Sequence, residues 1–240
     1  DTGCTSPDFG SGAGNPAIGQ TWSQPTVALV KGYPSAGAET PVILVGGGYD
    51  TCEDANTSAP ACDNRKGNLV YVLDALTGAV VRRFTGLSGS VVADLAVADR
   101  NGDGFADFAY AATTTGDLYR LYFTDSGFGA ISTGSWGIRQ IGRTTGGGRK
   151  FLNAPALMPS GTKIYVALGS GDREKPLIGQ YPYVSNVTNL DVEPGTLDRL
   201  FVFVLLHRAA NAGGPEVHVA HDGLSEPALR DDVGDGHTAA

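Results

Sequence analysis

Apolar residues in this 240-residue chain gather into short runs separated by Gly, Asp, Asn and Thr. Such runs, bounded by turn formers, read as β-strands rather than helices. The first two are Thr26-Val27-Ala28-Leu29-Val30 and Pro41-Val42-Ile43-Leu44-Val45, the latter stopped by Gly46-Gly47-Gly48-Tyr49-Asp50. Gly67-Asn68-Leu69-Val70-Tyr71-Val72-Leu73-Asp74 and Ala79-Val80-Val81-Arg82-Arg83-Phe84 follow, joined by Ala75-Leu76-Thr77-Gly78. An Asp-x-x-Thr-Gly link between apolar runs predicts a hairpin with Gly78 at the position that needs positive φ.

The pattern then recurs. Residues 91–98, 108–112 and 116–123 repeat the order strand, strand, Gly turn, strand with a central aromatic, and Gly116-Asp117-Leu118-Tyr119 matches Gly67-Asn68-Leu69-Val70-Tyr71. A third copy runs through residues 153–157, 163–171 and 198–204, with a long insert at 172–197 in place of the turn. Units of about 45 to 50 residues, each a four-stranded antiparallel sheet, are what a propeller blade requires. Three blades are too few to close a ring, which takes about four to eight. The chain therefore reads as all-β, a modified and incomplete β-propeller of four-stranded antiparallel blades with long inter-strand inserts, or one whose tails supply divergent strands. Residues 1–18 read as a flexible lead-in, 19–206 as the blades and 207–240 as a divergent or flexible acidic tail.

Between two of the strand-like runs lies Asp99-Arg100-Asn101-Gly102-Asp103-Gly104-Phe105-Ala106-Asp107. Asp99, Asn101, Asp103 and Asp107 place hard oxygen ligands at the first, third, fifth and ninth positions. The Phe105 carbonyl can supply the seventh, and Gly104 permits the sharp turn at the sixth. That donor set suits calcium. Three carboxylates this close repel one another, so loop closure and cation binding are expected to be coupled. The spacing is that of the start of an EF-hand, yet the twelfth position is Tyr110 rather than a bidentate Glu, and the flanks are strands. Coordination would be completed by water or by both oxygens of Asp107, with affinity on the order of micromolar or weaker.

Composition narrows the partners. Gly 35 is about twice the usual share and suits short strands joined by tight turns. A net charge of -8 argues against nucleic acid or an anionic membrane as partner, since both call for basic patches. The longest apolar run, 200–206, is far short of a membrane span. The chain starts at Asp1 rather than Met and is read as a mature product or a piece of a longer protein. Cys52 and Cys62 bracket a polar insert, 53–61. A disulfide closing it would contribute roughly 2 to 3 kcal/mol and imply an oxidising compartment. Cys4 is left over, and the Cys52–Cys62 spacing is too wide for a zinc knuckle.

Other constellations carry less. Asp172-Arg173-Glu174 reads as a loop ion pair rather than an acid/base set. His218 and His221 lack the partners that would complete a zinc site, as do His207 and His237. Gly146-Gly147-Gly148-Arg149-Lys150 lacks the P-loop spacing. Trp22, Trp136 and the strand tyrosines read as core fillers. None of these is catalytic, and no enzyme activity is expected.

Taken in order, Val45-Gly46-Gly47-Gly48-Tyr49-Asp50, the segment 67–78, the acidic loop and Gly169-Ser170-Gly171-Asp172-Arg173-Glu174 resemble the PilY1/PilC family over residues 19–204. Members are large secreted proteins of bacterial type IV pili, with a C-terminal modified propeller that carries a calcium loop. The resemblance implies Ca2+ held by Asp99, Asn101, Asp103, the Phe105 carbonyl and Asp107. It also implies a part in pilus biogenesis, extension against retraction in twitching motility, and surface adhesion. Pilins, minor pilins, the pilus machinery and a host or abiotic surface are the implied partners, and a pilus-associated periplasmic, outer-membrane or cell-surface location follows. Two other classes share parts of the pattern. A quinone-dependent propeller dehydrogenase uses similar Tyr-Val-Leu-Asp-Ala-x-Thr-Gly repeats, and an integrin-like or lectin-like calcium propeller uses similar acidic loops but several of them.

Overall fold

The structure is a computed structural model that describes residues 18–54, 65–144, 150–161, 163–171, 200–206 and 219–222. These residues form three four-stranded antiparallel sheets, each a meander whose neighbouring strands are consecutive in the chain. The first sheet holds β1 (Thr26–Ala28), β2 (Val42–Gly46), β3 (Leu69–Asp74) and β4 (Val80–Thr85). The second holds β5 (Ala96–Ala98), β6 (Phe108–Ala112), β7 (Asp117–Tyr122) and β8 (Gly137–Arg143). The third holds β9 (Ala156–Ser160), β10 (Lys163–Gly169), β11 (Leu200–Leu206) and β12 (Val219–Asp222). The first strands of successive sheets touch in turn, β1 against β5 and β5 against β9. The arrangement is propeller-like, and among the described residues the three sheets are not closed into a ring.

Burial explains why the central strands are so apolar. All five residues of β6 are buried. Because side chains alternate across a strand, Ala109 and Ala111 enter one core with Val42, Leu44, Val70, Val72, Phe123 and Trp136. Phe108, Tyr110 and Ala112 enter the other, with Leu118, Ile141, Ile164, Val166 and Phe203. The second sheet is therefore covered on both faces by its neighbours. Each fully buried Val, Leu or Phe contributes about 1.5–3 kcal/mol over leaving it in water. The glycine-rich lines of the sequence also meet here. A Cβ on Gly67 would stand 1.7 Å from the Gly48 carbonyl oxygen, so the two backbones pack where no side chain fits.

Several expectations change against the structure. The 26–30 run pairs only over Thr26–Ala28, and within 91–98 only Ala96–Ala98 joins the ladder. Val91, Val92, Ala93 and Leu95 are buried without being strand, so their hydrophobicity reports burial alone. β8 was not expected, because its exposed Arg139 and Gln140 break the apolar signature. β12 comes from the stretch read as a tail and pairs with β11. Trp136 is a core filler, edge-on to Phe123 at 5.2 Å. Trp22 is not: it is 52% exposed and stacks on Tyr49 at 4.8 Å. Cys52 is disulfide-bonded, whereas Cys4, Cys62, residues 172–197 and all of the tail except the β12 backbone lie outside the described residues.

The polar insert begins with a residue that is not in solvent. Glu53, in the short 3-10 turn Thr51–Asp54, is 2% exposed. Arg65 donates to its Oε1, as do the hydroxyls of Thr114 at 2.6 Å and Ser90 at 3.2 Å. Lys150 Nζ lies 3.9 Å from Oε2 and 3.3 Å from the Tyr49 hydroxyl. This buried carboxylate gathers groups from the first sheet's loop, from the end of β6 and from the approach to the third sheet. Removing one partner of such a set leaves buried charge uncompensated. Glu53→Gln, which keeps the shape and loses the charge, is expected to cost roughly 3 kcal/mol, measured by urea denaturation. A loss within experimental error would show the cluster to be well hydrated.

Candidate metal centre

The acidic loop 99–107 connects β5 to β6, and the Asp107 amide closes it by donating to the Ala98 carbonyl at 2.9 Å. Its curl comes from its own side chains. Asp99 accepts from the amides of Gly102 and Gly104, one at each oxygen and both at 2.7 Å. Asn101 Oδ1 accepts from the Asp103 amide at 3.1 Å, and Asp103 Oδ1 from the Phe105 amide at 3.0 Å. Gly102 and Gly104 stand at φ 75° and 91°, where a side chain would strain the backbone. The sixth-position glycine expected to make the sharp turn does so.

Asp107 is anchored differently. It is buried, its Oδ2 accepts from the Arg100 amide at 2.7 Å and its Oδ1 from the Thr124 hydroxyl at 3.1 Å. Burial raises its carboxyl pKa above the ordinary 3.8, and the charges of Asp103 and Asp99 push the same way against the two hydrogen bonds. Asp103 moves oppositely, held below the ordinary value by hydrogen bonds from Lys31 and Asn101. Lys31 was not singled out in the sequence. It lies in a turn closed by the Tyr33 amide on the Val30 carbonyl at 3.0 Å. From there its Nζ reaches Asp103 Oδ2 at 2.6 Å. The same Oδ2 accepts from Asn101 Nδ2 at 3.0 Å.

Two further bonds tie the loop to the neighbouring sheets. The Ala106 amide donates to the Leu29 carbonyl at 2.8 Å, just beyond β1. The Arg100 guanidinium donates to the Gly161 carbonyl, in the turn between β9 and β10. The loop thus touches all three sheets. Asp99, Asn101, Asp103, Phe105 and Asp107 are brought into one turn of backbone, and their hard oxygens fit a divalent cation such as calcium in kind and order. As they stand, no three His, Cys, Asp or Glu side chains among the described residues converge as a metal site, so holding an ion requires the carboxylates to close in. Thr124 and Lys31 are the partners the sequence did not reveal, because neither is near the loop in the chain.

No known family profile matches the chain, and no curated protein does. Among solved structures, the crystal structure of the Pseudomonas aeruginosa PilY1 C-terminal domain is similar to it. The TM-score is 0.49 and the identity 21%, over 88% of this chain and 40% of that one. The chain thus spans less than half the length of that structure.

The opposite shifts of the two aspartates give a direct check. With metal chelated, carbon-13 NMR of the carboxyl groups is expected to show Asp107 taking up a proton before Asp103 as pH falls. The sign for stability follows. Asp103 contributes stabilisation that is present above its unfolded value and lost as pH falls through its lowered folded value. Asp107, whose folded value is raised, opposes folding once ionised, and that penalty is relieved as pH falls below the raised value. Reversed order of protonation would mean that Asp107 is solvated.

Proposed function

We propose that this chain is the propeller portion of a type IV pilus biogenesis factor of the PilY1 kind, acting without catalysis and responding to calcium at residues 99–107. The observation that carries the reading is the loop itself: hard oxygens at the first, third, fifth, seventh and ninth positions, on backbone already curled by Asp99. The glycine-rich lines and hairpin repeats that resemble the PilY1/PilC family support the same reading. Asp99, Asn101, Asp103 and Asp107 would hold the ion with side-chain oxygens and Phe105 with its carbonyl. Calcium bound there supplies the positive charge that three neighbouring carboxylates need in order to approach one another.

The chain's own residues then pass on the change. Arg100 and Ala106 join the loop to the third and first sheets, so a change in its shape is felt at both sheet junctions. In this reading the exported protein meets pilins, minor pilins and the pilus machinery, with a host or abiotic surface beyond. Calcium occupancy favours extension against retraction.

Calorimetric titration is expected to show one calcium site with a dissociation constant on the order of micromolar or weaker. Asp107→Ala should abolish it, with the exposed Asp103→Asn as a second variant that spares the fold. Strains carrying either change in the full-length gene should twitch abnormally. Normal twitching in a strain whose protein no longer binds calcium overturns the mechanism.

A further inference from the structure

We infer that Lys31 is a tethered counter-ion of the acidic loop: it occupies one oxygen of Asp103 and sets its positive charge against an incoming calcium ion, and it thereby lowers the calcium affinity. This rests on the calcium reading above and concerns how that same loop is regulated.

The geometry behind it is specific. Lys31 Nζ is 2.6 Å from Asp103 Oδ2, the carboxylate at the fifth ligand position. Its charge also faces Asp107 and Asp125. Asp125 follows Thr124, whose hydroxyl holds Asp107. The ammonium group therefore lies in the combined field of three aspartates. Of the three loop carboxylates, Asp99 is held by backbone amides and Asp107 by an amide and a hydroxyl. Asp103 alone is held by a full positive charge. A carboxylate oxygen that already accepts from Lys31 and Asn101 has both lone pairs engaged, so Oδ2 is closed to an ion until one of them withdraws, and Asp103 is left to ligate through Oδ1, which accepts from the Phe105 amide.

The position of Lys31 suits such a role. It sits in a tight turn of the first sheet, 72 residues before Asp103, while the loop belongs to the second. Breaking the pair therefore releases a contact between sheets as well as a ligand. Its side chain is 37% exposed, so once released the ammonium can be taken up by water. An ion pair this exposed is weak by itself. Its effect on a divalent ion is larger, because the lysine both occupies a ligand oxygen and repels the incoming charge.

Calcium titration of wild type, Lys31→Met and Lys31→Arg tests this, with thermal unfolding in EDTA and in saturating calcium as a second readout. Loss of one exposed pair and one repelling charge should tighten binding by Lys31→Met roughly three- to tenfold. Lys31→Arg, which keeps the charge, should stay within about twofold of wild type. In EDTA the Met variant should melt below wild type, because its carboxylates have lost their cation. In calcium that gap should close. Equal affinities of wild type and Lys31→Met discard the inference and leave the calcium reading intact. Flat titrations of both discard the calcium reading and the inference with it, whereas binding by Lys31→Met alone supports the inference most directly.

Discussion

Negative charge held close to negative charge is the constraint around which this molecule is arranged. Asp99, Asp103 and Asp107 fall within nine residues, and the last is buried beside β6. Unrelieved, their repulsion would splay the loop and pull at the sheet beneath it. The chain answers with three kinds of positive potential: backbone amides on Asp99, an amide and a hydroxyl on Asp107, and the Lys31 ammonium on Asp103. Amides are fixed by the fold, whereas a lysine side chain can leave. The loop is thus pre-shaped at its two ends and adjustable at its middle.

A second buried charge lies at the other end of the same strand. The acidic loop runs into β6 at Phe108, and Thr114, two residues past the end of β6 at Ala112, donates to Glu53. β6 is the strand whose alternate side chains enter the two cores. Packing fixes its faces while polar contacts fix its ends, and those contacts reach into both neighbouring sheets. Interdigitated apolar faces resist displacement, and the charged, directional contacts at the strand ends add a further requirement on geometry. These two junctions therefore tie the three sheets together alongside the two cores.

How much of this the sequence disclosed follows from the physics of each element. β2, β3, β6, β7, β10 and β11 were readable because buried strands must be apolar, and the Gly78 turn because only certain residues make it. β8 was not, since an outer strand with exposed Arg139 and Gln140 has no such requirement. The ligand series from Asp99 to Asp107 was legible because it is local, with spacing and chemistry in one line of text. Lys31, Thr124 and the surroundings of Glu53 were not, because they meet only through tertiary folding: Thr124 reaches Asp107 within the second sheet, and Lys31 and the partners of Glu53 reach across sheet boundaries. Glu53 was read only as the first residue of a polar insert, since a charged residue among polar neighbours carries no mark of the cations that surround it.

The pairing of β12 with β11 has a practical corollary for anyone who shortens this protein. β11 is Leu-Phe-Val-Phe-Val-Leu-Leu, among the most apolar strands described, and among the described residues its outer rim is paired with the four residues Val219–Asp222. A version ending before Val219 would leave that rim bare. A naked rim of unpaired amides and carbonyls, flanked by Phe and Val, recruits whatever strand comes next, including one from another molecule. Cut there, the third sheet gains an open edge of the kind on which aggregation starts.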